Sequence, residues 1–331
     1  MTKQQLAVRF DRRLAQQFAL QFNQDVLRGL TSEPQKWLSA QYFYDEVGSA
    51  LFEAITALPE YGLTRADSRL LQRHAAEMVR FRPEPLHIIE LGSGSGAKTR
   101  WLLEAEATRH GTARYTAIDV SAAALEMCRT TLGRIPAVEI ETENATYLDG
   151  VRVALRNRQP GERVLILFLG STIGNFPLPD AVQLLIELRG SLQFGDGLLL
   201  GTDLMKPIEQ LLLAYDDPAG VTAAFNRNLL AHINRELGGK FDLGAFQHDV
   251  RFDSEESRIE MHLRSVRPQT VWIEALDRGF RFGAGETIWT ESSRKFTMDG
   301  VKQLAAASGF EPRMHWTDDE WPFAESLLVA E

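Results

Sequence analysis

Hydrophobic residues along the chain follow two patterns, short continuous runs and longer stretches with a helical repeat. The runs are 86–91, 115–120, 164–169 and 198–204, and a further short strand is predicted at 138–141, where apolar residues alternate with acids. Helical stretches with turn residues separate these five segments. Apolar runs of this length that alternate with helices are typical of a parallel sheet covered on both faces. The pattern therefore predicts an α/β fold with an open, doubly wound sheet of five strands and helical crossovers.

The pattern changes after the fifth segment. Residues 206–235 have a helical repeat, whereas residues 246–286 alternate apolar and polar positions. Asp253–Ser257 is predicted to be a charged hairpin turn, and Val271–Ile273 is expected on a partner strand. Strand alternation inserted into an α/β pattern indicates a second, α+β domain.

The α/β pattern returns at Phe296, with a helix near 301–307 and two last strands near 313–316 and 324–330. The changes of pattern divide the chain into two discontinuous domains. The predicted ligand-binding α/β domain comprises 63–205 plus 296–331, and the predicted substrate-binding domain comprises 1–62 plus 206–295.

Two helices are predicted before the first strand. The first covers residues 5–30, because apolar residues recur every four positions, at Leu6, Phe10, Leu14, Phe18, Phe22 and Val26. A capping box, Thr64–Asp67, is expected to open the second helix, which runs to about Arg80.

The first buried strand ends in an acid and a group of glycines, Glu90 followed by Gly92, Gly94 and Gly96. Glycines tolerate positive φ and allow a ligand to approach the backbone where a helix begins. We expect Glu90 to disfavour a pyrophosphate and to suit a cationic ligand such as S-adenosyl-L-methionine. From this turn alone, a dinucleotide-binding dehydrogenase and a turn that serves only tight packing remain as alternatives.

Asp119 stands at the end of the second strand, where an acid in a parallel α/β fold binds the hydroxyls of an adenosine ribose. A helix cap is the other role for an acid in this place. Ser121 is better positioned as the cap, so the sequence favours ribose binding by Asp119.

The composition limits the classes of partner. The chain has 331 residues, a formal net charge of −9 and one cysteine, Cys128. The acidic balance argues against nucleic-acid and membrane surfaces, and a lone cysteine fits a reducing cytoplasm. The histidines show no metal-site spacing, so no metal is expected. A small-molecule substrate and a cytoplasmic location are the resulting expectations.

Eight stretches, in order and spread over nearly the whole chain, resemble the histidine Nα-methyltransferase family of ergothioneine biosynthesis. They are Tyr42–Asp45 with Gly48–Ser49, Leu58–Tyr61, Glu90–Gly94 with Lys98–Arg100, Phe168–Asn175, Gly201–Leu204, Ala214–Asp217, Phe225–Asn228 and Thr290–Ser293. The resemblance implies a Rossmann-like class I methyltransferase sheet dependent on S-adenosyl-L-methionine, with a second α+β substrate-binding domain. It also implies three methyl transfers to the α-amine of L-histidine, giving hercynine, by an enzyme expected to be a monomer.

The resemblance carries roles for individual residues. The implied cofactor-binding residues are Gly92, Gly94, Lys98, Asp119, Thr146 and Tyr147. The implied substrate-binding residues are Tyr61, Thr172, Asn175, Tyr215, Met261, Glu291 and Ser293, of which Glu291 and Ser293 read the imidazole. One position departs from the family pattern. Thr146 stands where the family has an acid that contacts the amino group of adenine, and Asn144 is a possible substitute for that contact.

Methyl transfer to an amine needs alignment, exclusion of water and loss of a proton from the ammonium, but no strong base. Tyr44 and Tyr61 are the predicted catalytic residues, because tyrosine hydroxyls and water can accept these protons. Structural packing is the other role for each tyrosine. At the level of function, the alternatives are an N-methyltransferase for another aromatic amino acid or amine, and a protein that senses S-adenosyl-L-methionine without catalysis.

Overall fold

The computed structural model describes residues 20–331. The helices are α1 (20–30), α2 (Glu46–Thr56), α3 (Leu63–Met78), α4 (Arg100–His110), α5 (Ala122–Leu132), α6 (Tyr147–Arg156), α7 (Leu178–Ser191), α8 (Ile208–Tyr215), α9 (Val221–Leu237) and α10 (Met298–Ala307). The strands are β1 (Lys36–Trp37), β2 (Leu86–Leu91), β3 (Ala113–Asp119), β4 (Val138–Asn144), β5 (Arg163–Phe168), β6 (Gly197–Asp203), β7 (Phe246–Asp253), β8 (Arg258–Ser265), β9 (Gln269–Ile273), β10 (Arg278–Phe282), β11 (Thr287–Arg294), β12 (Glu311–Asp318) and β13 (Phe323–Val329).

The chain forms two compact units. The first, here the α+β unit, contains the described residues up to Ala57, with Leu212–Phe252 and Ile259–Glu291. The second, here the sheet unit, contains Leu58–Leu211, Asp253–Arg258 and Ser292–Glu331. Which unit binds which ligand stays a prediction.

The sheet unit is built on a seven-stranded sheet in the order β12-β13-β6-β5-β2-β3-β4. Strands β4, β3, β2, β5 and β6 are parallel, whereas β13 is antiparallel to both β6 and β12. The predicted doubly wound parallel sheet with a final hairpin is confirmed. Strands β2 and β5 are neighbours, although β3 and β4 lie between them in sequence. The strand order therefore reverses direction beside β2, where open α/β sheets bind their ligands.

Apolar residues on β2, β5 and β6 form the centre of the core of the sheet unit. Ile89, Ile166 and Leu198 have no exposed surface, and helix α7 covers this face through Leu185 and Leu188. The core fixes the carboxyl ends of the central strands at one edge of the sheet. The loops that follow them carry most of the predicted cofactor residues.

The α+β unit contains a four-stranded sheet in the order β1-β11-β8-β7 and a separate hairpin of β9 and β10. The turn at Asp253–Ser257 joins β7 to β8, as predicted. Strand β9 pairs with β10 and not with β8, because a short turn with Asp277 in the left-handed region returns the chain directly. Phe43 and Phe225 stack with ring centroids 4.5 Å apart and pack α9 on the aromatic segment before α2.

Residues 20–30 are helical, and the first four residues of the predicted repeat, Leu6, Phe10, Leu14 and Phe18, lie outside the described residues. The single helical stretch predicted over residues 206–235 is wrong in one respect. It is interrupted between α8 and α9 by Pro218 and by Gly220, whose φ is 73°. Asp217 then accepts hydrogen bonds from the backbone N–H groups of Val221 and Thr222 and caps α9.

The capping box predicted at Thr64–Asp67 is also wrong. The N-cap of α3 is Gly62, without a side-chain hydrogen bond, so Thr64 and Asp67 lie inside the helix. Asp67 is fully buried and forms an ion pair with Lys98. Its carboxylate therefore serves a tertiary contact.

Within residues 20–331, no helix is long and apolar enough to cross a membrane.

Candidate active site

Glycines in the turn after β2 have two different roles. Gly92, Gly94 and Gly96 have φ values of 67°, 51° and 68°. A Cβ at Gly96 would lie 2.7 Å from Sγ of Cys128, so this glycine permits close packing against α5. A Cβ at Gly94 would meet no atom of the described residues within 4 Å. The backbone at Gly94 thus borders open space, where a ligand could lie.

Glu90 lies beneath this turn. Its side chain is buried, and Oε2 accepts hydrogen bonds from Thr99 Oγ1 at 2.6 Å and from the Tyr115 hydroxyl. Burial raises the pKa of Glu90 to about 7 despite these two donors. The Glu90 carboxylate thus joins the start of α4 to β3, and its preference for a cationic ligand stays a prediction.

Asp119 connects the turn to the next loop. Its Oδ2 accepts a hydrogen bond from the backbone N–H of Gly94 at 3.1 Å, and its Oδ1 accepts one from Ser121 at 2.9 Å. Ser121 is the N-cap of α5, as the sequence predicts, and accepts from the N–H of Ala124. Burial raises the pKa of Asp119, although the backbone donors lower it. Each oxygen of Asp119 retains lone-pair capacity for a ribose hydroxyl.

Tyr147 borders the turn on another side. Its hydroxyl lies 3.4 Å from the position of a Cβ on Gly92, and its ring packs edge-on against Phe168, with centroids 5.4 Å apart. Burial raises its pKa to about 12, so the hydroxyl stays protonated. Tyr147 is thus a rigid aromatic surface beside the glycine turn.

Thr146 is the N-cap of α6, but its hydroxyl donates to Oδ2 of Asp149 at 2.8 Å. Asp149 was missed by the sequence analysis, and it is an acid that contacts Thr146, where the chain departs from the family pattern. The Thr-x-x-Asp spacing was the signal that could have identified it. Asn144 donates its amide to the carbonyl of Asp119 at 3.0 Å, which ties β4 to β3.

Lys98 lies between α3 and the central strands. Its Nζ forms an ion pair with Oδ2 of Asp67, and a Cβ on Gly170 would lie 3.5 Å from Nζ. The Lys98 side chain is 27% exposed, whereas Asp67 is fully buried. Burial lowers the pKa of Lys98, but Asp67, Glu90 and Glu325 together raise it above its usual value, so the ammonium stays charged. Lys98 is therefore a cation with an accessible edge at the end of β5.

The predicted substrate residues of the sheet unit are Tyr61, Thr172, Asn175 and Ser293. These four residues lie on three segments of the chain, and each segment is described here by the contacts that it makes. The short 3-10 helix Thr172–Asn175 follows β5 and packs on the backbone of Arg294, since a Cβ on Gly174 would lie 2.8 Å from that carbonyl oxygen. Gly62, next to Tyr61, packs against the indole of Trp321.

Ser293 contacts a buried ion cluster. We call it the Asp203 cluster, and it consists of Asp203, Lys206, Lys295 and Trp321. Lys206 and Lys295 lie 2.6 and 2.9 Å from the two carboxylate oxygens, and Trp321 Nε1 donates to Oδ1 at 2.9 Å. Lys295 Nζ also donates to Oγ of Ser293 at 2.8 Å.

The Asp203 cluster is positively charged overall. Burial acts to raise the pKa of Asp203, but Lys295 and Lys206 hold it below its usual range. Burial lowers the pKa of Lys206 to about 8. The sequence analysis included Asp203 only within the stretch Gly201–Leu204 and missed Lys295, because their contact joins positions far apart in sequence.

The α+β unit holds Tyr44, Tyr215, Met261 and Glu291. Tyr44 is 38% exposed, and its ring lies edge-on to Phe52 and Phe225, at 5.6 and 5.9 Å between centroids. Met261 is buried in β8, and Glu291 is half-buried in β11. Glu291 and Ser293 thus lie on a strand and not on a solvated loop.

A hydrogen-bonded chain joins β11 to α8. Thr290 Oγ1 donates to Asn226 Oδ1 at 2.7 Å, and Asn226 Nδ2 lies 2.8 Å from His248 Nδ1. His248 Nε2 lies 2.8 Å from the carbonyl oxygen of Tyr215, and burial lowers the pKa of His248. The neutral ring thus accepts at Nδ1 and donates at Nε2. The sequence analysis missed Asn226 and His248 as residues that position Tyr215.

No group of three or more His, Cys, Asp or Glu side chains in residues 20–331 is arranged to hold a metal ion. The open glycine turn, the acid at the end of β3 and the accessible lysine instead fit an adenosine ligand with a free carboxylate.

Comparison with known proteins agrees with this geometry. Residues 22–330 match the family described as "Histidine-specific methyltransferase, SAM-dependent". A protein of Mycobacterium tuberculosis named Histidine N-alpha-methyltransferase is 44% identical over 312 residues, which cover 94% of this chain and 95% of that protein. A protein of the same name from Mycolicibacterium smegmatis is 43% identical over 306 residues, covering 92% and 94%. Ergothioneine biosynthesis protein 1 of Neurospora crassa is 32% identical over 283 residues, covering 83% of this chain and 31% of that protein.

The sheet order, its antiparallel β13 and the glycine turn define a class I methyltransferase that uses S-adenosyl-L-methionine. More narrowly, the chain belongs to the family of histidine-specific, S-adenosyl-L-methionine-dependent methyltransferases. The predictions of family, enzyme class and cofactor are confirmed.

Proposed function

We propose that this enzyme transfers three methyl groups in turn from S-adenosyl-L-methionine to the α-amine of L-histidine and so produces hercynine for ergothioneine biosynthesis. The observation that carries the proposal is the similarity, over almost the full length of both chains, to two proteins named for histidine Nα-methylation. The retained Thr290–Ser293 motif supports the choice of an imidazole substrate.

The cofactor-binding residues in this proposal belong to the sheet unit. Gly92 and Gly94 let the ligand approach the backbone, and Lys98 binds its carboxylate. Asp119 accepts hydrogen bonds from the ribose hydroxyls, and Tyr147 with Thr146 borders the adenine. The cofactor supplies a methyl group activated by a sulfonium. The protein positions that methyl and excludes water from it.

Recognition of the amino acid is assigned by motif within each unit. Tyr61, Thr172 and Asn175 of the sheet unit and Tyr215 and Met261 of the α+β unit hold the substrate. The Ser293 hydroxyl already accepts a hydrogen bond from Lys295, so its own proton is directed elsewhere. We assign that proton to the bare nitrogen of the imidazole.

Glu291 completes the recognition of the imidazole by accepting a hydrogen bond from the ring N–H. A neutral imidazole has one N–H donor and one acceptor nitrogen. The protein must therefore offer an imidazole one acceptor and one donor. A substrate side chain that lacks either the N–H or the acceptor nitrogen cannot pair with both of these protein groups.

Proton removal is assigned to Tyr44 and Tyr61 together with water. A fixed carboxylate beside the amine would stabilise the ammonium and oppose the next transfer. A tyrosine hydroxyl can accept the proton transiently without that penalty. As methyl groups accumulate, the amine loses its N–H donors, and aromatic faces can still hold the resulting cation.

We also propose that the enzyme acts as a monomer in the cytoplasm, on a free amino acid and not on nucleic acid or a membrane surface. The net charge of −9 argues against nucleic-acid and anionic membrane surfaces, and the single cysteine fits a reducing cytoplasm. Light scattering after gel filtration measures the oligomeric state, and a dimer would contradict it.

The function is tested with cofactor that carries a deuterated methyl group. Mass spectrometry of a reaction with L-histidine should show mono-, di- and trimethylated products in order, and NMR should place every label on the α-nitrogen. Labels on the imidazole ring, or a reaction that stops after one transfer, would contradict the proposal.

A further inference from the structure

Three buried carboxyl groups surround Lys98. Asp67 on α3 and Glu325 on β13 have no exposed surface, and Glu90 on β2 is 3% exposed. Each of these acids acts electrostatically on the others or on Lys98. Three ionised acids beside one ammonium would leave an excess of buried negative charge, which is strongly unfavourable. At least one of the three groups must therefore hold a proton.

The hydrogen bonds identify which group that is. Asp67 Oδ2 is paired with Lys98, and Glu90 Oε2 accepts from two hydroxyl groups. Among the described residues, no donor reaches either carboxyl oxygen of Glu325 or Oδ1 of Asp67. The Glu325 and Asp67 carboxyls are nonetheless within hydrogen-bonding contact of each other. One proton on Glu325, donated to Asp67, satisfies both groups.

The strand pairing makes room for this carboxyl. Glu325 pairs with Gly201 across β13 and β6, and a Cβ on Gly201 would lie 2.8 Å from Glu325 Oε1. Any larger residue at 201 would displace the Glu325 side chain. The glycine thus allows an acid to lie under the lysine that borders the cofactor turn.

We propose that Glu325 is a positioning residue whose protonated carboxyl donates a hydrogen bond to Asp67 and thereby keeps the Lys98 ammonium available to the carboxylate of the cofactor. This inference rests on the proposed contact of Lys98 with the cofactor. With Glu325 protonated, Asp67 and Lys98 balance each other, and an incoming carboxylate meets one buried negative charge fewer. With Glu325 ionised, the extra charge opposes that carboxylate and draws Lys98 toward the buried acids.

The proposal has a pH signature. Burial, and then the charge of Asp67, raises the pKa of Glu325 well above its usual range; Lys98 acts to lower it and Glu90 to raise it. A raised pKa keeps Glu325 protonated at neutral pH. Cofactor affinity should therefore be highest at neutral pH and should fall as the pH rises through that raised value.

The test measures binding of S-adenosylhomocysteine by calorimetry from pH 7 to pH 10, for the wild type and for Glu325→Gln. Gln keeps the shape and a donor for Asp67 but cannot ionise. We expect equal affinities at pH 7 and a wild type that weakens by about tenfold or more relative to the variant at high pH. Glu90, Lys98 and the ligand amine also titrate in both proteins, so the difference between the two curves, and not either curve alone, is the readout for Glu325.

Glu106→Gln is the matched control, because Glu106 is a second buried glutamate with a raised pKa. Its carboxylate binds the N–H of Leu86, at the other end of β2. The control should follow the wild type at every pH. Asp67→Asn is a second test. The Asn amide can donate a hydrogen bond to Glu325, so Glu325 can ionise and become the partner of Lys98. This variant should therefore also lack the loss of cofactor affinity at high pH.

Parallel pH curves for the wild type, Glu325→Gln and Asp67→Asn would overturn the proposal. So would loss of binding at pH 7 in a folded Glu325→Gln variant. A wild type that fails to bind S-adenosylhomocysteine at any pH would instead contradict the proposed function itself, and this inference with it.

Discussion

Lys295 donates a hydrogen bond from Nζ to Oγ of Ser293 across 2.8 Å, and both side chains are buried. The same ammonium lies 2.9 Å from Asp203 Oδ2, so its position is fixed by an ion pair. A serine that accepts from an ammonium has its single proton left for another acceptor. The contact therefore sets the direction in which Ser293 can donate.

Replacing Lys295 by Met should raise KM for histidine about fivefold to tenfold, because Ser293 loses the partner that orients its hydroxyl. Affinity for S-adenosylhomocysteine should change less than about twofold. Lys206→Met is the matched control, since it also removes a cation from Asp203 but no donor from Ser293. Equal rises in KM for the two variants would show that the charge of the cluster matters and the contact with Ser293 does not.

Replacing Glu291 by Ala should lower kcat/KM for histidine by about 30- to 150-fold, or roughly 2–3 kcal/mol, because the acceptor for the imidazole N–H is lost. An aromatic amino acid without an imidazole should lose little. Glu286→Ala serves as control, because Glu286 is a partly exposed acid that pairs with Lys36. Loss of cofactor binding in Glu291→Ala, or an equal loss for every substrate, would contradict the role in specificity.

Replacing Asp119 by Asn should weaken cofactor binding by roughly 1.5–3 kcal/mol, since the ribose hydroxyls lose a charged acceptor. Asn keeps one oxygen, which can accept from the backbone N–H of either Gly94 or Ser121, while its amide NH2 cannot accept from the other. Ser121→Ala removes the cap of α5 and should cost only stability, about 0.5–2 kcal/mol. Unchanged calorimetric affinity in Asp119→Asn would remove Asp119 from the cofactor site.

Glu90→Gln should change the pH dependence of stability. The pKa of Glu90 is raised from 4.5 to about 7 by burial, so its contribution to stability is fully present below pH 4.5 and is lost as the pH rises through 7. Relative to the variant, the free energy of unfolding of the wild type should fall by roughly 2–3 kcal/mol between pH 4.5 and 8. Urea titrations at the two ends of this range measure it, and parallel behaviour of the two proteins would show that Glu90 titrates normally.

Much of the fold could be predicted because its signals are local. The buried runs at β2, β5 and β6 mark central strands by composition alone, and Ser121 stands at a recognisable cap position. The parallel direction of the central strands follows from the alternation of strands and helices. The glycine turn was found for the same reason, since positive φ leaves a trace in sequence.

The contacts that tune the site could not be predicted in this way. Asp67 has the spacing of a capping box, yet its carboxylate pairs with Lys98, because a fully buried carboxylate needs a counter-charge. Lys295 and Asp203 are brought together only by folding of the sheet unit. Local patterns identify elements, whereas charge balance in the interior depends on the tertiary structure.

Specificity for histidine is the central claim, and a competition assay tests it most directly. The enzyme is given S-adenosyl-L-methionine and an equimolar mixture of the protein amino acids with histamine and tryptamine, and all methylated products are measured by mass spectrometry. The account predicts hercynine and its partly methylated precursors as the dominant products. A methylated tryptophan, tyrosine or amine that exceeds the histidine products would contradict it.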